Sequence, residues 1–237
     1  MAANVMYNKN SVRNVLVAMS GGVDSSVAAL ILRKKGFECL GATMNLYRGD
    51  KDFDSVSEDV MDAKRISELL GMKHITLDLH NRFSSCVIDR FVRAYENGIT
   101  PNPCIDCNRE LKFGSLFESA GKYGCDYVAT GHYAKVEYDF EKKRYLLKKA
   151  VSLEKDQTYV LYSITQERLS RVLFPLGGLS KTEVRHLADE SGLCNAKKSE
   201  SQDICFIPDG KYTEFIEKYT GKKYPEGDFV TTEGEVL

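Results

Sequence analysis

The apolar positions near the start of the chain form one block that breaks at a pair of glycines. Residues 14–19 are almost continuously apolar, and residues 27–32 are apolar again with the spacing of a helix. Gly21 and Gly22 lie between the two stretches. Apolar runs of these two kinds around a glycine pair are typical of a strand, a tight turn and a helix. We therefore predict a strand–turn–helix unit here.

Apolar stretches continue to alternate between strand and helix spacing up to about residue 132. Ser55 and Glu58 have the spacing of a capping box at one helix start, and Gly71 and Gly98 mark two helix ends. Because strands that alternate with helices pair in parallel, the pattern predicts an α/β fold with a doubly wound, Rossmann-like parallel sheet. The predicted strands are 39–46, 74–79 and 127–132, and the predicted helices are 58–70, 82–97 and one that begins near Cys107.

The pattern changes after Ala134. Two short apolar stretches flank a charged turn, which predicts a hairpin, and helical spacing then returns. We expect a first domain over 1–150 and a small, incomplete second domain over 151–237. The last residues resemble a hairpin whose second strand stops midway, so we expect a truncated chain. The hairpin strands are 136–138 and 145–147, the helices are near 166–174 and 182–191, and the last hairpin is 227–237.

Composition places the protein among ordinary globular chains. With 237 residues and 43% hydrophobic content it can bury a full core. It has no apolar run near the ~20 residues of a membrane span and no signal-peptide pattern before Asn14. We therefore expect a cytoplasmic protein with no membrane partner. Seven cysteines, an odd number, argue against a disulfide framework.

Charge gives little support for a nucleic-acid partner. The formal net charge is −1, so any RNA contact must come from local basic patches, and we expect no DNA partner. Such patches are more often solvated faces. The candidates are Lys142-Lys143-Arg144, Lys148-Lys149, Lys197-Lys198 and Lys222-Lys223.

The glycine turn has the features of a phosphate site. Gly21 and Gly22 let the backbone approach an anion closely, and Ser25 and Ser26 fall in the first helical turn, where unpaired N–H groups favour phosphate. A Walker loop would end in Gly-Lys-Ser/Thr, which is absent from the chain, so simple phosphoryl transfer is disfavoured. The alternative is an ordinary turn with Asp24 or Ser25 as helix N-cap.

Other strand ends should meet this turn. In doubly wound sheets ligands bind beyond the carboxyl ends of the strands. We therefore expect the Ser20 loop, Met44 and the pair Gly131 and His132 to converge on an adenosine pocket. The alternative for His132 is a turn residue with satisfied hydrogen bonds.

The cysteines add a second candidate site. Cys104 and Cys107 form a C-x-x-C pair, and Cys205 lies in another loop-like stretch. This spacing permits zinc, iron-sulfur or redox chemistry without choosing among them, and chance pairing is the alternative. We expect the remaining cysteines with apolar or helical neighbours to be packing residues, namely Cys39, Cys86 and Cys125, while Cys194 is ambiguous.

Longer motifs support a family resemblance. Residues 20–25 resemble the S-G-G-x-D-S loop of the ATP pyrophosphatases, or PP-loop enzymes. This loop and four later motifs occur in the same order as in the MnmA-type tRNA 2-thiouridylases, and the chain resembles that family throughout its length. This resemblance implies adenylation of C2 of the wobble uridine and then sulfur transfer, which gives 2-thiouridine, AMP and pyrophosphate. The later motifs are 100–103 with 107–113, 130–134, 155–159 and 203–207.

The resemblance also implies roles for single residues. Asp24 would help to bind Mg2+ or orient the reacting groups, Cys107 would act beside the uridine, and Cys205 would accept persulfide sulfur. Asn102 and the stretch Lys155, Asp156 and Gln157 would lie near the tRNA base; the alternative for Asp156 is a helix cap. The residues expected to contact ATP are Ala18, Met19, Ser20, Gly21, Gly22, Val23, Asp24, Ser25, Ser26, Met44, Gly131 and His132.

Cys104 stands where other members carry aspartate. A third thiol favours a site in which Cys104, Cys107 and Cys205 hold a 4Fe-4S iron-sulfur cluster, while a cluster-free persulfide route stays open. The expected cofactors are thus ATP, Mg2+ and this cluster, and the expected partners are tRNA and a protein persulfide or sulfide donor.

Family members carry a longer central domain and a C-terminal β-barrel, which we expect to be incomplete and missing here. Two alternatives differ in class: an amidating or argininosuccinate-type synthetase with the same loop, and a non-enzymatic, cluster-holding RNA-binding module.

Overall fold

The computed structural model describes residues 13–46, 57–198 and 204–237. Ser55 of the predicted capping box lies outside them. The chain forms two compact units, Met1–Glu200 and Ser201–Leu237. The division therefore falls after Glu200, whereas the sequence pattern placed a boundary near residue 150.

Five parallel strands form the central sheet of the first unit. Their order is β3-β2-β1-β4-β7, so β1 has β2 on one side and β4 on the other. Val15 of β1, for example, pairs with Cys39 of β2 and Tyr127 of β4. The strands are β1 (Asn14–Ala18), β2 (Glu38–Asn45), β3 (Lys73–Asp78), β4 (Tyr127–Ala129) and, much later, β7 (Val172–Leu173).

Helices cover both faces of this sheet, as predicted. Along β1, Val15 and Val17 belong to a core cluster that includes helix residues on one face, and Leu16 belongs to a second cluster on the other. Successive strand residues point to opposite faces, so a continuously apolar strand is buried on both. The helices are α1 (Val23–Lys34), α2 (Glu58–Leu69), α3 (His80–Phe83), α4 (Asp89–Glu96), α5 (Pro103–Cys107) and α6 (Leu116–Lys122).

Two long helical stretches contain π-helical turns. Ser84–Ile88 joins α3 to α4, and Asn108–Ser115 joins α5 to α6. The first stretch matches the helix predicted over 82–97 and ends before Gly98, whose φ is +71°. The second begins earlier than predicted, because Asn102 caps it and Pro103 fits its first turn.

The start of α2 also differs in detail from the sequence pattern. Ser57 is its N-cap, and the Ser57 side chain accepts a hydrogen bond from the amide of Val60. Glu58 is thus the first helical residue rather than the third. Leu69, the last residue of α2, is 58% exposed.

The segment after residue 134 begins with the predicted hairpin, formed by β5 (Ala134–Asp139) and β6 (Arg144–Lys149). The later residues then return to the first unit: β7 extends the main sheet beside β4. Helix α8 (Lys181–Glu190) places Val184 and Ala188 in the core cluster that contains α1 residues. Through β7 and α8, residues after 150 thus belong to the first compact unit. Between hairpin and α8 lies the short α7 (Gln166–Leu169).

The second unit contains one helix, α9 (Tyr212–Thr220), among its described elements, and a single antiparallel bridge between Val230 and Val236. Gly221 ends α9 with φ +69°. Of the helices that the structure describes, none has the length and apolar character needed to cross a membrane.

Candidate functional site

The site lies where the strand order reverses. After β1 the chain forms α1 and then β2 on one side of β1, and it later forms β4 on the other side of β1. A crevice therefore opens beyond the carboxyl ends of β1 and β4. The loop from Ser20 follows β1, and Gly131 follows β4. The Ser20 loop and the Gly131 segment, which we predicted to converge, thus share one edge of the sheet.

The turn between β1 and α1 requires glycine at position 21. Gly21 has φ +72°, a conformation that side chains rarely adopt, and a Cβ there would lie 2.5 Å from the carbonyl oxygen of Asp59 in α2. The backbone of α2 therefore packs directly on the turn. Any larger residue at Gly21 would push the turn away from α2.

Gly22, and neither Asp24 nor Ser25, is the N-cap of α1, so the alternative of a side-chain cap is wrong. Within the described ranges, no side chain caps this helix start. The hydroxyls of Ser25 and Ser26 donate to the carbonyl of Gly22 at 3.0 and 2.9 Å. The first amides of a helix lack intrahelical acceptors, so those of α1 can donate to an anion.

Gly131 packs on the same helical turn. A Cβ at Gly131 would lie 2.8 Å from both the carbonyl carbon of Asp24 and the amide nitrogen of Ser25. Only glycine lets β4 and α1 approach this closely. Gly131 therefore contributes to the site by lacking a side chain, and not through a side-chain contact.

The other residues expected at the nucleotide fall into two groups. Met19 is buried and its sulfur accepts a hydrogen bond from Ser67 at 3.2 Å, so its side chain belongs to the core. Ala18 and Met44 are partly buried at the opposite face of the same sheet edge. They can offer apolar surface to a ligand, whereas Met19 can offer only backbone.

Asp24 is held by two residues that the sequence analysis missed. Lys181 Nζ donates to the two carboxylate oxygens at 2.7 and 2.9 Å, and the Tyr133 hydroxyl donates to Oδ1 at 2.9 Å. The spacing of Ser180 and Glu183 was the available signal for Lys181, since it marks a helix start with a lysine inside it. The structure contains this capping box.

Asn195 was also missed. It is 4% exposed, and its Nδ2 donates to the carbonyl of Gly21 at 2.8 Å and to the hydroxyl of Ser26 at 3.0 Å. Its Oδ1 is a buried acceptor for which the part of the chain that is described supplies no donor. A buried amide thus fixes the glycine turn from behind. No local sequence signal distinguishes this asparagine.

His132 is a core residue in this structure. Its ring shares a 2.7 Å hydrogen bond with Thr130 and lies about 6 Å, centroid to centroid, from Phe113 and Phe174. Burial, assisted by the charge of Lys112, lowers the pKa of His132 well below its ordinary value. The imidazole is therefore neutral, as in the alternative interpretation of a satisfied turn residue.

Cys104 and Cys107 lie on α5, the first exposed and the second half-buried. Burial raises the pKa of Cys107, and the charge of Lys112 opposes that rise. Buried Asn108 fixes the pair, because its Nδ2 donates to the carbonyl of Cys104 at 2.8 Å. Cys205 is exposed in the second unit. The structure therefore places two of the three predicted thiols together.

Metal ligands do not cluster in the described ranges. These ranges contain no group of three or more His, Cys, Asp or Glu side chains that could hold a metal ion. The packing roles expected for Cys39 and Cys125 agree with their burial, whereas Cys86 is half-buried and Cys194 exposed.

The residues expected near the tRNA base hold the local backbone. Asn102 accepts a hydrogen bond from the amide of Cys104 at 3.1 Å. Asp156 accepts from the amide of Ala150 at 2.8 Å, and Gln157 Oε1 accepts from the amide of Tyr133 at 3.1 Å. Gln157 thus supports the residue that contacts Asp24. Lys155 lies in a short 3-10 turn.

The predicted basic patches are partly neutralised. One member of each forms an ion pair with a nearby acid: Lys142 with Asp139, Lys148 with Glu137, Lys198 with Asp59 and Asp62, and Lys223 with Glu217. One lysine in each patch is therefore offset by a neighbouring acid.

Comparison with known proteins identifies a family and a fold. The family model described as "tRNA methyl transferase HUP domain" matches residues 13–209. Several curated relatives are named "tRNA-specific 2-thiouridylase MnmA". The protein of Caldicellulosiruptor saccharolyticus is 49% identical over 95% of this chain and 64% of its own length. That of Acetivibrio thermocellus is 47% identical over 96% and 65%, and that of Clostridioides difficile 45% over 95% and 64%. The chain thus spans less than two thirds of these relatives.

Two solved structures share the fold. A 4-thiouridine synthetase in complex with RNA and ATP has a TM-score of 0.57 and 20% identity, and covers 87% of this chain and 50% of its own. The U34-tRNA thiolase NcsA of Methanococcus maripaludis, which holds a 4Fe-4S cluster, has a TM-score of 0.52 and 18% identity, and covers 89% and 67%. At these identities the likeness shows the fold alone, and it confirms the predicted α/β class.

Proposed function

This chain belongs to the tRNA methyl transferase HUP domain family, and we propose that it acts as a tRNA 2-thiouridylase. In this proposal ATP activates C2 of the wobble uridine, and sulfur then replaces the C2 oxygen. The observation that carries the proposal is the glycine turn at the strand-order reversal, with Asp24 in the helical turn that follows. The names of relatives at 45–49% identity support the substrate.

The turn suits adenylation because the leaving group is an anion. The C2 oxygen attacks the α-phosphorus of ATP, the bond to the bridging oxygen breaks, and pyrophosphate leaves with the electron pair. The amides at the start of α1 would stabilise the leaving pyrophosphate, and Gly131 lets the segment after β4 pack against this helical turn. Bound Mg2+ would neutralise further phosphate charge, and Asp24, whose side chain is 33% exposed, is the carboxylate that would hold it.

We propose the persulfide route for the sulfur step. The outer sulfur of a persulfide on Cys205, loaded by a protein persulfide donor, attacks C2, and AMP leaves with the oxygen. Cys107 as thiolate then attacks the Cys205 sulfur, which forms a disulfide and releases the thiouridine sulfur with the electron pair. An external thiol would reduce the disulfide. These steps use thiol chemistry alone, with Cys107 and Cys205 as the two reacting thiols.

The tRNA contacts are also part of this proposal. Asp156 and Gln157 would hold the segment in place through their backbone hydrogen bonds, and Lys155 would face the tRNA. Asn102 would position α5 beside the uridine through its cap. We propose that residues 1–150 supply most of the catalytic surface, and that the protein works in the cytoplasm with its tRNA.

Nucleoside analysis tests the proposal. Unmodified tRNA is incubated with the protein, Mg-ATP and a persulfide donor, and the digested nucleosides are examined by mass spectrometry. We expect ATP-dependent 2-thiouridine, which disappears in Cys107→Ala and Cys205→Ala and persists in Cys86→Ala as matched control. Absence of 2-thiouridine with the unaltered protein, or its formation without ATP, would contradict the proposal.

A further inference from the structure

Helices α1 and α8 run side by side in the same direction. At one end, Asp24 in the first turn of α1 pairs with Lys181, the first residue of α8. At the other end, Lys34 at the end of α1 donates to the hydroxyl of Ser191, the C-cap of α8, at 3.5 Å. The positive ends of both helix dipoles therefore face the edge that carries the glycine turn.

Lys181 stands at an electrostatically unfavourable place. A cation at a helix N-terminus is repelled by the helix dipole, and a second N-terminus lies beside it. The Lys181 side chain is only 14% exposed, so water screens this repulsion weakly. An anion beside the ammonium group offsets this repulsion. In this structure that anion is the carboxylate of Asp24.

The surroundings of Lys181 fix its direction. The Ser180 and Glu183 capping box sets the start of α8, and the ammonium lies 6.0 Å from the ring centroid of Tyr133. The Tyr133 hydroxyl meets the same Asp24 oxygen as Lys181 does. The lysine thus points at the helical turn whose amides would hold the pyrophosphate group of ATP.

We propose that Lys181 is a second cation of the nucleotide site, which pairs with Asp24 until Mg2+ takes that carboxylate and then binds the β- and γ-phosphate oxygens. The inference rests on the proposed nucleotide function. A lysine has three donors on a flexible stem, so it can change acceptor with a small movement. It would supply the positive charge that the lysine of a Walker loop supplies in other nucleotide-binding proteins. Lys181, however, lies 157 positions after Asp24 in the chain and on another helix.

Binding of matched ligands tests this role. The probes are α,β-methylene-ATP and AMP, titrated with and without Mg2+ into the unaltered protein and into Lys181→Met, Lys181→Arg and Lys34→Met. Lys34→Met is the matched control, because it removes a lysine contact at the opposite end of the same helix pair. Circular dichroism melting checks that each variant folds.

We expect Lys181→Met to bind α,β-methylene-ATP with Mg2+ roughly tenfold to a hundredfold more weakly, the usual worth of a charged hydrogen bond. AMP affinity should stay within about twofold, because AMP lacks the β- and γ-phosphates. The Mg2+ concentration for half-saturation should fall, because Asp24 no longer has a competing cation. Lys181→Arg should keep most of the preference for the triphosphate, and Lys34→Met all of it.

A lysine that only positions Asp24 would give another pattern. Lys181→Met would then raise the Mg2+ requirement, or weaken AMP and the triphosphate analogue equally, and either result would overturn the inference. Unaltered protein that binds the analogue without making 2-thiouridine would overturn the proposed function alone. Unaltered protein that does not bind the analogue would overturn both.

Discussion

The side-chain nitrogen Nδ2 of Asn195 donates a hydrogen bond to the backbone carbonyl oxygen of Gly21 at 2.8 Å. The contact joins the segment after α8 to the turn between β1 and α1. Both groups are buried, so water cannot replace the bond if it is lost. The glycine turn is consequently held by α2 in front, through Asp59, and by Asn195 behind.

Replacing Asn195 should therefore loosen the nucleotide site. In Asn195→Leu the carbonyl of Gly21 loses its buried donor, which costs about 1–3 kcal/mol of unfolding free energy. ATP affinity should fall as well, because the turn loses its fixed shape. Urea denaturation and ATP titration measure the two effects. Asn97→Ala, at an exposed asparagine that bonds its own helix, is the control and should change little. Equal stability of the Asn195 variant would show that the buried bond has no role.

Gly131 offers a second test of the same geometry. A methyl group at Gly131 would meet backbone atoms of Asp24 and Ser25 at 2.8 Å, so α1 must shift. We expect Gly131→Ala to lose about 1–3 kcal/mol of stability and to bind ATP more weakly. Gly178→Ala is the matched control, because a methyl group added there would have no neighbouring atom within 4 Å. Normal ATP affinity in Gly131→Ala would place the nucleotide elsewhere.

Neutral His132 predicts a loss of stability in mild acid. The folded state lowers the pKa of His132 well below 6.5, so the unfolded chain binds the proton more readily. The stabilisation is present above pH 6.5 and is lost as pH falls below that value. His132→Gln should lack this component of the pH dependence in denaturation curves. Exposed His186→Gln should retain it. Identical pH profiles for the His132 variant and unaltered protein would contradict a buried neutral imidazole.

The raised pKa of Cys107 predicts slow alkylation at neutral pH. Thiolate, rather than thiol, reacts with iodoacetamide, and Lys112 is the charge that favours thiolate here. Lys112→Met should therefore slow labelling of Cys107 roughly twofold or more, since one pKa unit changes the thiolate fraction tenfold. Peptide mass spectrometry measures the rate, with exposed Cys205 as internal reference. An unchanged rate of Cys107 labelling in Lys112→Met would show that the charge of Lys112 does not favour the Cys107 thiolate.

Local sequence pattern was sufficient for the elements that form the nucleotide loop. The apolar periodicity of β1 and α1 and the glycine pair between them are short-range signals, and the structure has the strand, turn and helix that they predict. The start of α5 was also encoded locally, in Asn102 and Pro103, although the predicted helix began only near Cys107.

Long-range contacts could not be predicted in this way. Lys181 meets Asp24 across 157 positions, and Asn195 meets Gly21 across 174, so neither pair has a spacing that a local pattern can show. Strand β7 has two residues, too few for a period, and without it the return of the chain to the main sheet could not be foreseen. For the same reason the sequence pattern did not show that the residues after 150 join the first compact unit.

The fate of one oxygen atom tests the central claim most directly. Transfer RNA that carries 18O at C2 of the wobble uridine is incubated with the protein, Mg-ATP and a persulfide donor, and the nucleotide products are examined by mass spectrometry. Adenylation at C2 followed by sulfur attack predicts one 18O in each AMP per 2-thiouridine, together with pyrophosphate. Release of ADP, or of AMP without 18O while 2-thiouridine accumulates, would contradict the account.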